Sequence, residues 1–289
     1  MRDRARGAGV VSIPLLDLRR SPRHTAEMRS QLLLGEVVDV LASALSGRWL
    51  EVRNWTDGYR GWVRSWGLIE ASRLRAGRWE RRARHRVRAL RAEVRTRPGG
   101  GTSVSPLPWR ARLITGAARG RHRAIELPDG RRGWVRSADL EPVGAPPPPL
   151  LDRIGSLIGV PYLWGGRSPA GFDCSGFTQL VMAEQGVRLP RDAADQLRVC
   201  RPLATSEAAM AGDLVFFGRP GRPAAHVGVY LGSGLFAHAR GRVLIGSVDP
   251  DNVLYDNELN RYYLGLARVR PGWRPSESRI ALTRIPQLP

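Results

Sequence analysis

Cys174 stands where a nucleophile would be placed. Asp173 and Ser175 beside it are good N-terminal helix residues, and Phe177, Leu180 and Val181 recur at helical spacing up to Gly186. The cysteine therefore opens a helix, where unpaired N–H groups and the positive end of the dipole favour a thiolate. Two histidines supply the complementary chemistry. Gly232-Ser-Gly234 separates two apolar runs, so residues 226–231 and 235–239 should form a hairpin. Alternation along a strand puts His226, Gly228 and Tyr230 on one face. Closing the hairpin about Gly232 or Ser233 brings His238 to that same face in either register. A thiol at a helix start facing such a sheet suits acyl-enzyme hydrolysis. His226 takes the thiol proton and returns it to the leaving amine, His238 fixes the tautomer of His226, and N–H groups at the helix start hold the oxyanion. One cysteine and two histidines without Cys-x-x-Cys or His-x₃-His spacing do not make a structural zinc site, so no metal and no cofactor is expected.

These residues need an α+β frame. A helix over residues 150–158 precedes the glycine-rich loop, and strands are predicted at 213–217, 226–231, 235–239, 243–248 and 262–268. Helices first and strands later, without βαβ alternation, predict an antiparallel sheet in a domain spanning residues 150–270. Ahead of it, residues 144–149 form a proline run that separates domains. Residues 271–289 read as a proline-rich tail.

The first part of the chain repeats itself. Asp57-Gly-Tyr-Arg-Gly-Trp-Val-Arg-Ser-Trp-Gly-Leu68 matches Asp129-Gly-Arg-Arg-Gly-Trp-Val-Arg-Ser-Ala-Asp-Leu140 at nine of twelve positions. In each copy Asp-Gly makes a tight turn and Gly-Trp-Val opens the next strand. Short β-like runs precede both turns, at residues 36–41 and 49–53, and at 110–115 and 123–127. Two small all-β barrels are expected, at residues 9–71 and 85–143, with Trp62 and Trp134 filling their cores.

Composition bounds the partners. All 46 basic residues of this 289-residue chain are arginine, giving a net charge of +20. Such one-sidedness follows GC-rich codon usage more simply than a selected phosphate-binding surface, and the densest run, residues 73–97, holds no nucleic-acid motif. No specific nucleic-acid partner is expected. No apolar stretch reaches the roughly 20 residues of a membrane span, and the arginine-rich start is not followed by a signal-peptide core. A cytoplasmic location is expected unless the start codon lies upstream. Cys200, in a polar connecting segment, is read as a structural free thiol.

The repeat resembles the bacterial SH3-like domain. The third domain carries a longer series: Pro161-Tyr-Leu-Trp-Gly-Gly166, Gly171-Phe-Asp-Cys-Ser-Gly-Phe177, Leu189-Pro-Arg191, Gly212-Asp-Leu-Val-Phe-Phe217, His226-Val-Gly-Val-Tyr-Leu-Gly232 and Phe236-Ala-His-Ala239. This series is similar, in order and content, to that of the NlpC-type, papain-like cysteine peptidases. The resemblance implies Cys174 as nucleophile, His226 as base and His238 as orienting residue. With the barrels ahead, the chain further resembles the γ-D-glutamyl-L-diamino acid endopeptidases, which act on murein peptides with a free N-terminal L-alanine. That implies Tyr162, Asp173 and Ser175 as the residues that bind the amine, and a carboxylate and an aromatic hydroxyl of the first barrel, for which Glu27 and Tyr59 are the candidates, as a specificity wall. Alternative readings are an exported hydrolase of intact wall and a non-catalytic wall-binding adaptor.

Overall fold

Residues 7–71 are dominated by short β-branched and leucine-rich runs cut by turn residues, and each run folds as a strand. The computed structural model describes residues 5–204, 208–271 and 273. The expected tail therefore lies outside the described residues, except for 271 and 273. The first strands are β1 (Gly7–Val11), β2 (Leu15–Arg19), β3 (Met28–Leu33), β4 (Val37–Ala44), β5 (Trp49–Asn54), β6 (Arg60–Arg64) and β7 (Leu68–Ala71). Helix α1 (Arg73–Arg82) follows, with Ser72 accepting from the Arg75 N–H as its cap. The second set is β8 (His85–Val87), β9 (Arg91–Arg97), β10 (Gly100–Pro108), β11 (Arg112–Arg119), β12 (His122–Glu126), β13 (Arg132–Arg136) and β14 (Leu140–Pro142).

Both sets form seven-stranded sheets. Their orders, β3-β2-β6-β5-β4-β1-β7 and β10-β9-β13-β12-β11-β8-β14, correspond strand for strand, so the duplication extends from the twelve-residue motif to the topology. Among the described residues no ladder joins β3 to β7 or β10 to β14, so each sheet is open there rather than hydrogen-bonded into a closed barrel. Each sheet has its own apolar core, around Leu18, Val52 and Val63 in the first and Val94, Leu113 and Val135 in the second.

The motif tryptophans do not fill those cores. Alternation along β6 and β13 turns Val63 and Val135 inward, leaving Trp62 and Trp134 half-buried on the other face. The glycine before each tryptophan has a packing cause. A Cβ at Gly61 would lie 2.2 Å from the Leu18 side chain, and one at Gly133 would lie 2.5 Å from that of Val94. The partner strand crosses too close for any other residue.

The chain divides into two compact units after Pro146, within the proline run. The second unit contains α2 (Leu150–Leu157), the short pair β15 (Arg167–Ser168) and β16 (Gly171–Phe172), α3 (Cys174–Glu184) and α4 (Ala193–Arg198). Then come β17 (Cys200–Pro202), β18 (Leu214–Phe217), β19 (His226–Gly232), β20 (Leu235–Arg240), β21 (Arg242–Ser247), α5 (Asn257–Asn260) and β22 (Tyr263–Val269). Its six-stranded antiparallel sheet runs β17-β22-β18-β19-β20-β21, and α3 packs on β19 and β20. Val215, Phe217, Tyr230 and Phe236 build the core of that sheet. Helix α3 is buried almost all round, which explains why its apolar pattern is broader than a single stripe.

Candidate active site

Asp173 links the local sequence to the site. Its backbone is extended (φ −89°, ψ 175°) and its carboxylate accepts from the Gly176 N–H, so it caps α3 and leaves Cys174 as the first helical residue. The Cys174 sulfur accepts from the N–H of Ser175 behind it and from the N–H of Val227 in β19. This second bond ties the sulfur to β19, the strand that begins with His226.

The hairpin has the register centred on Ser233. Val229 faces Ala237 and Tyr230 faces Phe236, with an irregularity before Gly232. The turn needs left-handed backbone at three successive residues, Gly232 (φ 102°), Ser233 (φ 50°) and Gly234 (φ 76°), which explains why glycine brackets the serine. His238 lands beside His226 as the alternation requires, and His226 Nε2 lies 2.7 Å from His238 Nδ1. For His226 to serve as a base through Nδ1, its Nε2 must carry the proton and donate it to His238. The hairpin geometry holds the ring for that tautomer.

Burial governs the charge states. It pushes the Cys174 thiol up to about 11, and the adjacent Asp173 carboxylate acts in the same direction. The two N–H donors and the Arg191 guanidinium pull the thiol down without overtaking burial. The helix-start argument alone expects a lowered value. Desolvation outweighs it because Cys174 is only 8% exposed. Burial likewise lowers His226 to about 4, with Arg240 adding to the effect and Asp173 opposing it. It lowers His238 to about 3, helped by His226 and Arg240. At neutral pH Cys174 is thus a thiol and His226 a neutral imidazole. A consequence is measurable by peptide mass spectrometry. Alkylation of Cys174 by iodoacetamide should keep rising toward about pH 11. A plateau already reached below about pH 8 would instead indicate a preformed thiolate–imidazolium pair.

The three residues implied in amine binding lie together. Asp173 and Ser175 are buried, and the Tyr162 hydroxyl is pushed up to about 12, by burial first and then by Cys174 and Asp173, so it remains a protonated donor. The sequence singles out Leu189-Pro-Arg191 only as part of a motif. The structure gives Arg191 a specific task. It is 2% exposed, and its guanidinium grips both Asp173 oxygens (2.6 and 3.1 Å) and the Ser175 hydroxyl (2.8 Å). Asp173 also accepts from the N–H groups of Gly165 (2.9 Å) and Gly176 (2.7 Å) and from the Ser175 hydroxyl (3.3 Å). A buried arginine must have a carboxylate, but the sequence alone does not say which of 26. Gln196, fully buried on α4, holds the backbone of the same segment by donating to the Ser175 and Pro190 carbonyls.

A cleft of about 560 Å³ is lined by Tyr162, His226, Arg240, Glu258, Arg261 and Tyr262. Arg240 is anchored there by Asp256 and by Glu258 at 3.2 Å. Its charge facing His226 is an electrostatic feature that the sequence reading missed, since α5 and β20 meet only in the fold. Glu27 and Tyr59 belong to the first unit. Glu27 lies 3.9 Å from Arg20, and Tyr59 packs on the first core with the Arg29 guanidinium over its ring. Both cysteines are free thiols, and Cys200 is buried, its thiol pushed up to about 12 by desolvation.

Comparison with known proteins finds relatives of both parts of the chain. The NlpC/P60 family profile matches residues 159–261, and that of the bacterial dipeptidyl-peptidase Sh3 domain matches residues 18–68, within the first sheet. The gamma-D-glutamyl-L-lysine dipeptidyl-peptidase of Bacillus subtilis is 30% identical over 224 residues, which are 73% of this chain and 72% of that protein. The probable endopeptidase p60 of Listeria seeligeri is 40% identical over 112 residues, 39% of this chain and 20% of its own length. Among solved structures, an NlpC/P60 family protein from Bacillus cereus shares the fold with a TM-score of 0.79 at 22% identity, covering 91% of this chain and 100% of that one. With its thiol, imidazole pair and helix cap arranged as described, the chain belongs to the NlpC/P60 family of cysteine peptidases.

Proposed function

We propose that this peptidase hydrolyses the γ-D-glutamyl–diamino acid bond of murein peptides that carry a free N-terminal L-alanine, and that it does so in the cytoplasm, in peptidoglycan recycling. The observation that carries the reading is the extent of the match to a gamma-D-glutamyl-L-lysine dipeptidyl-peptidase, which runs through both the sheet-rich part and the catalytic part of the chain. The cluster of Tyr162, Asp173 and Ser175 next to the nucleophile supports it, because an ammonium group calls for a carboxylate and oxygen acceptors. We read the second sheet as a second SH3-like module on the strength of its strand order.

In this mechanism the thiol delivers its proton to His226 while the sulfur adds to the γ-glutamyl carbonyl. His226 then protonates the departing diamino acid amine, and water releases the dipeptide from the thioester. The experiment compares L-Ala-γ-D-Glu-diaminopimelate with its N-acetylated form by mass spectrometry. Acetylation should lower kcat/KM by about 100-fold, because it removes a charge-assisted partner from a buried polar site. Equal cleavage of the two peptides would overturn the amine requirement. Release of peptides from intact sacculi at a comparable rate would favour an exported wall hydrolase. Glu27→Gln and Tyr59→Phe test the implied specificity wall. Either should raise KM for the free-amine peptide more than for the acetylated one.

A further inference from the structure

The two copies of the repeat have diverged at one place, the outer face around the motif tryptophan. In both copies an arginine of the neighbouring strand sits opposite that tryptophan: Arg19 pairs in register with Trp62, and Arg95 with Trp134. In the first copy the segment between β2 and β3 is eight residues long, 20–27, and folds over this face. The Arg19 guanidinium donates to the carbonyls of His24 and Ala26, both at 2.8 Å, and to Asp17 at 2.8 Å. Arg64, two residues past Trp62, lies 3.3 Å from the His24 ring and stacks over Trp49. In the first copy the segment 20–27 thus supplies partners to both Arg19 and Arg64.

In the second copy only Pro98 and Gly99 connect β9 to β10, so no eight-residue segment follows β9, and Arg95 donates to a single carbonyl past the turn, that of Gly101 at 2.9 Å. A cavity of about 420 Å³ is left, lined by Arg91, Arg95, Arg97, Arg136, His122 and Trp134. Two carboxylates answer the four guanidinium groups: Glu93 at 2.7 Å from Arg95, and Asp139 at 2.9 Å from Arg136. Arg91 and Arg97 have no ion-pair partner among the described residues, and the Arg95 and Arg136 side chains stay 47% and 68% exposed although paired. An excess of guanidinium forks around one half-buried indole is suited to a ligand with a flat apolar face and an anionic group at its edge.

We propose that this cavity of the second sheet is a binding site for an anionic sugar, whose ring face lies on Trp134 and whose carboxylate or phosphate is held by Arg97 with Arg95 and Arg136. The site lies outside the catalytic unit and does not depend on the peptide substrate assigned above. The first copy cannot share it, because residues 20–27 already occupy the equivalent face.

Isothermal titration of the full chain tests the assignment with four probes: N-acetylmuramic acid, N-acetylglucosamine 6-phosphate, N-acetylglucosamine and inorganic phosphate. At least one of the two anionic sugars should bind at least tenfold more tightly than the neutral sugar, and which of them does so distinguishes a carboxylate from a phosphate site. Trp134→Ala and, separately, Arg97→Gln should each weaken that binding at least tenfold while peptide hydrolysis stays unchanged. In the first copy Arg64→Gln, at the position that corresponds to Arg136, should leave it unaltered. Arg97 is exposed in a strand terminus, so its variant tests the site even where Trp134→Ala lowers stability. Neutral sugar binding as tightly as the anionic ones, inorganic phosphate matching the sugar phosphate, no binding at millimolar probe, or full binding by Arg97→Gln would each overturn the proposal.

Discussion

Replacing Cys174 with alanine is expected to lower amide hydrolysis by at least roughly 10⁴-fold, because acyl-enzyme chemistry has no substitute for the sulfur. The fold should survive. The side chain is small, its two hydrogen bonds are accepted from backbone N–H groups of Ser175 and Val227, and its removal relieves the burial of a thiol that carries no charge at neutral pH. Thermal denaturation should place the variant within a few degrees of the parent, since a small cavity costs about 1 kcal/mol. Single-turnover hydrolysis read by mass spectrometry decides the matter. Turnover within tenfold of the parent would remove Cys174 from the mechanism.

The second large effect is at a residue that touches no reacting atom. Arg191→Met keeps the length and apolar stem of the side chain but leaves the Asp173 carboxylate buried without its counter-charge. Breaking a buried, bidentate pair costs about 3–5 kcal/mol, since the surviving ion has lost its compensation. Urea denaturation should show a loss of that size, and the chain should become harder to alkylate at Cys174, because Arg191 is one of the groups that hold the thiol down. A double variant, Arg191→Met with Asp173→Asn, should recover part of the stability, as neither charge is then left alone. A loss below about 1 kcal/mol in the single variant would show that the pair is dispensable. The pairing also has a consequence for catalysis. Asp173 alone would oppose the thiolate and favour the imidazolium, and Arg191, seventeen residues from Cys174, moderates its effect on the sulfur.

Much of this site was legible before any coordinates, wherever the determinant is short-range. Asp173 was readable as a cap because an N-cap is defined by the three residues that follow it, and the Asp173–Gly176 bond spans just that distance. The common face of His226 and His238 followed from the two-residue period of a strand and one glycine-bracketed turn, with no need to know what the sheet packs against. The repeated Asp-Gly…Gly-Trp-Val motif similarly announced two equivalent units, and the matching strand orders extend that equivalence to all seven strands.

What the same reasoning missed depends on groups that meet across the fold. Trp62 and Trp134 were assigned to cores on residue type alone, but alternation fixes only that Trp and Val point oppositely, and the choice of face belongs to the strands that cover Val63 and Val135. The cysteine was expected to be acidified by its helix, a local field, whereas the amount of water left around the sulfur is set by β19, β20 and the glycine-rich loop packed on α3. The sequence by itself determined the capped helix that starts at Cys174 and the shared face of His226 and His238, because each is encoded within a turn or a hairpin. Only the tertiary structure decided that the resting thiol is protonated, that Arg191 answers Asp173, and that one of two duplicated faces is open. Desolvation and charge pairing act between segments that are distant in the chain, and no short window of residues contains them.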